Sequence, residues 1–155
     1  TGYNLIEKDK LNIDVEKLRK LGVKDGPHLR KLKEGNTITY KGKEVKAEDV
    51  TYLVPGKKIT YIADTAANEN CIKLAQGANL LISESVYAAN MQDKADDYKH
   101  LTSKDAATIA SQADVEKLVL THFSQRYKTV TELEEDAKLV FPNSVCAFDF
   151  MKVKV

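Results

Sequence analysis

The sequence predicts an α/β fold built on a mostly parallel sheet, and two observations carry that expectation. The stretches beginning at Ile59, Leu80 and Leu118 are short apolar runs that end abruptly in Asp64, Glu84 and His122. Buried parallel strands read that way, and in an open α/β sheet the ligand crevice lies at their carboxyl ends. Segments with helical spacing separate these runs, so from Lys58 onward strand and helix alternate. Asp64, Glu84 and His122 are therefore expected at one rim, with His100 arriving from an intervening loop.

The whole-chain composition narrows the class. A length of 155 residues suits about one domain. With 43% hydrophobic residues, 30% charged, seven Gly and three Pro, disordered and fibrous classes are excluded. A net charge of +1 gives no global argument for a nucleic-acid partner, so any such contact must rest on a local patch. Cys71 and Cys146 form no C-x-x-C spacing and read as reduced, buried residues of a cytoplasmic protein. No stretch is long or apolar enough to span a bilayer, and no charged leader opens the chain. Thr1-Gly-Tyr-Asn-Leu-Ile reads as the interior of a longer chain, entered in mid-strand.

Taken in order, residues 1–7 alternate loosely as a strand, and the spacing of Ile13, Val15, Leu18 and Leu21 predicts a short amphipathic helix over 9–21, stopped by Gly22. Residues 23–35, with Gly26-Pro27 and few apolar anchors, read as an excursion rather than core. Thr37–Tyr40 and Glu44–Lys46 flank a tight Lys41-Gly42 turn as a strand pair. Residues 47–55 read as a connector. Strands follow at 58–63, 79–83 and 117–121, with a helix at 68–76 closed by Gly77 and a mixture of helix and loop at 86–98. Thr102 and Asp105 fit the cap of a helix whose slim alanine face, Ala106 to Ala113, suits close packing on a sheet. A helix at 129–140, a Pro142-Asn143 turn and final strands at 144–148 and 151–155 complete the pattern, the last as a half-exposed edge. No internal repeat or linker divides the chain.

Four residues could carry chemistry. Asp64 reads either as a strand-end capping carboxylate or as a ligand for a divalent ion. His122 is a satisfied structural histidine or a metal ligand; Ser124, Arg126 and Tyr127, close behind it, offer a hydroxyl, a planar cation and a further donor for phosphate oxygens. Glu84 paired with His100 would fix the imidazole tautomer and ready it for proton donation, although the spacing alone does not establish the pair. Residues 11–35 hold seven Lys and Arg against four acids, a local excess in a nearly neutral chain. That excess is a solvated face or a basic arm meeting phosphates, with Arg30, Lys31 and Lys33 among its candidate contacts. With three histidines in all and no His-x-His-x-Asp-His run, the set amounts to an incomplete hydrolytic metal site.

These motifs together resemble a known family. Gly2-Tyr3, the arm Gly26-Pro-His-Leu-Arg-Lys-Leu-Lys-Glu-Gly35, Asp64-Thr65, Glu84-Ser85, His100 with Thr102, Leu120-Thr-His-Phe-Ser-Gln-Arg-Tyr127, and Phe141-Pro-Asn-Ser144 leading to Asp149-Phe150 are similar to the C-terminal portion of the ribonuclease Z family. These are tRNA 3′-processing endonucleases of the metallo-β-lactamase fold. The resemblance implies the C-terminal half of an αββα sandwich spanning residues 1–155, with an inserted protruding arm at about 11–35. It implies that Asp64 bridges two zinc ions, that His122 binds one of them, and that His100, held by Glu84, serves the leaving ribose oxygen. The remaining ligands would lie before Thr1. The implied reaction is hydroxide attack on precursor tRNA beyond the discriminator nucleotide, in a cytoplasmic homodimer whose arm serves the partner's site. This chain alone would be inactive.

The chain departs from the family pattern at Ala63, where Gly is usual, at Ala66 in place of Arg, at Ser83 in place of His and at His28 in place of an aliphatic. A hydrolase of the same fold with another substrate, or a non-catalytic RNA-binding fragment, are the competing expectations.

Overall fold

A computed structural model describes residues 1–155. Its elements are β1 (Gly2–Ile6), β2 (Lys10–Ile13), α1 (Val15–Lys20), α2 (Leu29–Lys33), β3 (Ile38–Tyr40), β4 (Lys43–Val45), α3 (Ala47–Val50), β5 (Thr51–Val54), β6 (Lys58–Ile62), α4 (Glu69–Ala75), β7 (Leu80–Glu84), α5 (Gln92–Tyr98), α6 (Ser103–Gln112), β8 (Leu118–Thr121), α7 (Thr131–Val140) and β9 (Ser144–Cys146), with a 3-10 turn at Ala89–Met91. They form two compact units, residues 1–6 with 57–155, and residues 7–56.

The larger unit holds a five-stranded sheet in the order β1-β6-β7-β8-β9. β6 to β9 run parallel and β1 closes one edge antiparallel to β6. Because strand side chains alternate, Ile62, Leu81, Leu118, Leu120 and Cys146 point to one face, where α4, α6 and α7 cover them. Ala106, Ala107 and Ala110 are fully buried there, which lets α6 lie close to the strands as its alanine face requires. A capping box starts α6: the Thr102 hydroxyl accepts from the Asp105 amide, and Asp105 accepts from the Thr102 amide.

The alternate residues face the other way. Tyr3 with Tyr61, Leu5 with Ile59, then Leu80, Ile82, Val119 and Val145 make a second apolar face, against which no helix of this unit is packed. Leu80 and Val119 at its centre are buried, whereas toward the β1 edge Tyr3 is 65% and Leu5 70% exposed.

Residues 7–56 carry a core of their own, made by Leu18, Val23, Leu32, Ile38, Val45 and Val50. Here the structure corrects the sequence reading at four places. Of residues 9–21 only Val15–Lys20 is helical, capped by Asp14; Lys10–Ile13 is a strand, because its register with Thr51–Val54 satisfies its backbone. Residues 23–35 are not a bare excursion, since α2 buries Leu32 completely. Residues 47–55 are not a plain connector but α3 followed by β5. In the larger unit, residues 151–155 form no strand: Met151 N–H donates to Phe148 O in a turn, with Phe150 at φ 65°, which carries the chain off the sheet edge. The β3–β4 hairpin is as expected, its Lys41-Gly42 turn having φ 49° and 77°, the positive values such a turn demands.

Candidate metal site

Parallel strands with matched ends set the site. Glu84 is the last residue of β7, in register with Thr121 of β8, so His122 follows directly beside it. Asp64 comes two residues after β6. Both Asp64 (φ 51°) and His122 (φ 57°) sit in the left-handed region, which for residues with a Cβ costs about 1–2 kcal/mol and persists where the surroundings enforce it. His100 is delivered between α5, which ends on left-handed Lys99, and the capping box of α6.

The four side chains converge, with one donor atom from each within 4.8 Å of the others. Glu84 is fully buried with both oxygens engaged: Oε1 accepts from the Thr65 amide at 2.8 Å, and Oε2 lies 2.8 Å from His100 Nδ1. An ionised carboxylate only accepts, so His100 Nδ1 carries the hydrogen and Nε2 is left for other work. His122 Nδ1 stands 3.4 Å from Glu84 Oε2 and 3.7 Å from Asp64 Oδ1. The His122 and Asp64 side chains are 50% and 68% exposed, that of His100 26%. The expected carboxylate–imidazole pair is thus present, and Asp64 and His122 meet at an open position.

The donor set fits part of a metal centre. Asp64 and His122 are free to coordinate, while Glu84 and His100 engage each other behind them. A catalytic zinc ordinarily takes three protein ligands, and two open ones fall short of that number.

Other side chains frame the site. The Tyr87 ring lies edge-on to His100 at 6.4 Å between centroids, and His100 edge-on to His122 at 5.8 Å. Arg126 holds its guanidinium over the Tyr87 ring at 5.3 Å, with Nη1 2.8 Å from Met91 Sδ. Tyr127 turns inward, its hydroxyl accepting from the Ala88 amide at 2.8 Å, and the Ser124 amide donates to Val86 O. Asp136 of α7 accepts from the Ala89 amide at 2.7 Å and from the Ser103 hydroxyl. Arg30, Lys31 and Lys33 are exposed on α2 of the smaller unit, Arg30 bonded to Glu34 at 2.9 Å. Sequence reasoning missed the Thr65 amide, Tyr87 and Asp136. Only Thr65, adjacent to Asp64, carried a signal.

Two shifted groups lie where α7 meets β9. The Cys146 amide bond and the Lys138 ammonium hold the Glu134 carboxyl below its ordinary range. Burial, with the Glu134 charge adding to it, pushes the Cys146 thiol up to about 12. Cys71 and Cys146 are both free and buried, as expected.

Comparison with known proteins places this arrangement. No protein-family model matches the chain. Among solved structures, the metallo-β-lactamase-fold protein YhfI from Bacillus subtilis superposes with a TM-score of 0.54 at 28% identity, over 62% of this chain and 39% of that one. A long-form RNase Z from yeast gives 0.54 at 29%, over 61% of this chain and 13% of the other. The chain thus has an α/β sandwich architecture resembling the metallo-β-lactamase fold. Within that class it is homologous to ribonuclease Z: it is 41% identical to the ribonuclease Z of Saccharolobus islandicus over 96% of its own length and 50% of the relative's, and 40% identical to that of Bacillus licheniformis over 99% and 52%. The chain therefore spans about half the length of these relatives. Its cluster of Asp64, Glu84, His100 and His122 is a candidate metal site.

Proposed function

We propose that residues 1–155 act as the C-terminal part of a metallo-β-lactamase-like endoribonuclease that removes 3′ trailers from precursor tRNA, complete only when the other half of the domain is supplied. The observation that carries this reading is the convergence of Asp64, Glu84, His100 and His122 at one rim, with two of the four still open to coordinate. The exposed β1 edge of the second sheet face, with Tyr3, Leu5 and Tyr61 open to solvent, supports it, since apolar surface of that kind needs a covering layer.

In this reading Asp64 and His122 would hold zinc, two ions in the completed site. Bound zinc would polarise the scissile phosphate and lower the pKa of a water. Glu84 would fix His100 by its Nδ1 hydrogen; carrying a second proton on Nε2, the imidazolium would give that proton to the departing ribose oxygen and return to the neutral Nδ1–H form. Ser124 and Arg126 would meet the phosphate, Arg126 steadied by the Tyr87 ring, while Tyr127, its hydroxyl held by the Ala88 amide, braces the loop behind them. The segment at about 11–35 is the RNA-contacting arm, with Arg30, Lys31 and Lys33 meeting phosphates of a folded RNA by shape and charge. The intact enzyme is a homodimer in the cytoplasm, a setting that suits two free thiols. No helix is long and apolar enough to cross a membrane.

The test is metal stoichiometry joined to activity. The isolated 155-residue chain should hold less than one tight zinc and leave a 3′-extended tRNA uncut, and both should recover when the complementary half of a ribonuclease Z is added. Two tightly bound zinc ions in the isolated chain would overturn the half-site argument, as would failure of His122→Ala to weaken zinc retention in the completed enzyme.

A further inference from the structure

Arg126 is exposed, and a long charged side chain at a surface loses conformational entropy whenever it is held in one place. One short segment holds it from two sides. The Tyr87 ring lies under the guanidinium at 5.3 Å, and Met91 Sδ is 2.8 Å from Nη1. Ala89 stands midway between these two residues, and its amide donates to Asp136 Oδ2 of α7 at 2.7 Å. The Ser103 hydroxyl donates to the same oxygen at 3.2 Å, while the Ser103 amide donates to Tyr87 O at 2.8 Å.

Residues 87–91 belong to no strand ladder; a single bridge joins Tyr87 to Thr102. Their backbone must therefore be fixed by side chains. Tyr127 fastens Ala88, but it comes from the loop that carries Arg126 itself. Asp136 instead ties the segment to α7, whose Leu133 and Ala137 are fully buried in the core, and its charge strengthens both bonds. We infer that Asp136 is a positioning residue: by pinning the middle of residues 87–91 to α7, it holds Tyr87 and Met91 in place and so aims Arg126 at the rim of the site. The consequence for cleavage rests on the reading that Arg126 meets the phosphate; the positioning itself does not.

Nitrogen-15 relaxation of the Arg126 Nε–H group in the 155-residue chain reads the positioning directly. An order parameter of about 0.8 is expected, falling below about 0.6 in Asp136→Ala. Asp136→Asn should keep the native value, because both bonds end on one oxygen and an amide carbonyl can accept both. Glu135→Ala, the neighbouring change on α7, should leave it unmoved. Ser103→Ala, which removes one of the two bonds, should give an intermediate value, and it decides the matter if circular dichroism shows Asp136→Ala unfolded. In the enzyme completed with its other half, Asp136→Ala should lower kcat/KM about tenfold, but less than about twofold once Arg126→Ala is present, since a residue acting through Arg126 then has nothing to act on.

An Arg126 as rigid in Asp136→Ala as in the native chain would overturn the inference, as would an unmoved Arg126 in Ser103→Ala where that variant decides. So would an Asp136→Asn that behaves like Asp136→Ala, or equal losses of kcat/KM in the two backgrounds. An Arg126→Ala enzyme that cleaves normally would instead strike the phosphate reading and leave the relaxation measurement to decide the positioning.

Discussion

Replacing Glu84 with Gln tests the centre of the site most directly. The carboxylate is fully buried and its two oxygens accept from different donors, the Thr65 amide and His100 Nδ1, each at 2.8 Å. A glutamine presents one acceptor and one donor, so only one of these partners can keep its bond unchanged. The backbone amide cannot adapt, but the imidazole can, by moving its hydrogen from Nδ1 to Nε2 and accepting from the new amide. Hydrogen bonds to a charged group are worth about 1.5–3 kcal/mol and neutral ones about 0.5–1.5. Exchanging two of the first kind for two of the second lowers stability by roughly 2 kcal/mol, offset in part because a buried charge is no longer desolvated. With a urea slope of about 1–3 kcal/mol per molar, the unfolding midpoint should fall by about 0.7–2 M, less whatever the offset returns. Nitrogen-15 shifts of the His100 ring should report the Nε2–H tautomer. A variant with an unmoved midpoint and an Nδ1–H imidazole would show that Glu84 does not hold His100.

Other perturbations probe the frame. Thr102→Ala removes the hydroxyl that accepts from the Asp105 amide and should cost about 1 kcal/mol in chemical denaturation. Cys146 should resist thiol reagents until the chain unfolds. With its pKa raised from 9.0 to about 12 on folding, its stabilising contribution is full below 9 and is lost as pH climbs toward 12. Glu134 works in the opposite sense: its folded pKa lies below 4.5, so its contribution is present above that value and disappears as pH falls through the folded one. Glu134→Gln should therefore flatten the acid limb of the stability profile. His122→Gly should be more stable than His122→Ala by about 1 kcal/mol in urea, because only glycine tolerates φ 57° without strain; the reverse order would place His122 outside the left-handed region.

The site was legible because its residues end strands. An apolar run that stops in a carboxylate or an imidazole is a local pattern, and parallel register converts three such ends into one rim without further information. The Glu84–His100 pair was not legible from spacing alone, since it depends on where α5 ends and α6 begins. The smaller unit was misread for the same kind of reason. Lys10–Ile13 became a strand through its partners Thr51–Val54, far along the chain, and the burial of Leu32 depends on α1, α3 and a hairpin arriving together. The helical spacing of 13, 15, 18 and 21 was real but described half the segment. In the C-terminal tail alternation was real as well, yet a strand needs a neighbour, and the turn at Phe150 removes the last residues from one.

In the reading proposed above, the exposure of Asp64 and His122 and that of the β1 edge of the second sheet face have one physical origin. A sheet of this class is buried on both sides, and its carboxyl rim becomes a cavity only when something rises on the second side to wall it. Here helices cover one side, and the rim carries buried Glu84 beside the exposed side chains of Asp64 and His122. Supplying the second layer would therefore do two things at once: bury Tyr3, Leu5 and Tyr61, and bring further donors over Asp64 and His122. Zinc binding and sheet burial should then appear together as the complementary half is titrated in, with tyrosine fluorescence and metal uptake sharing one midpoint. Separate midpoints would mean that the exposed face and the incomplete site are unrelated features of the chain.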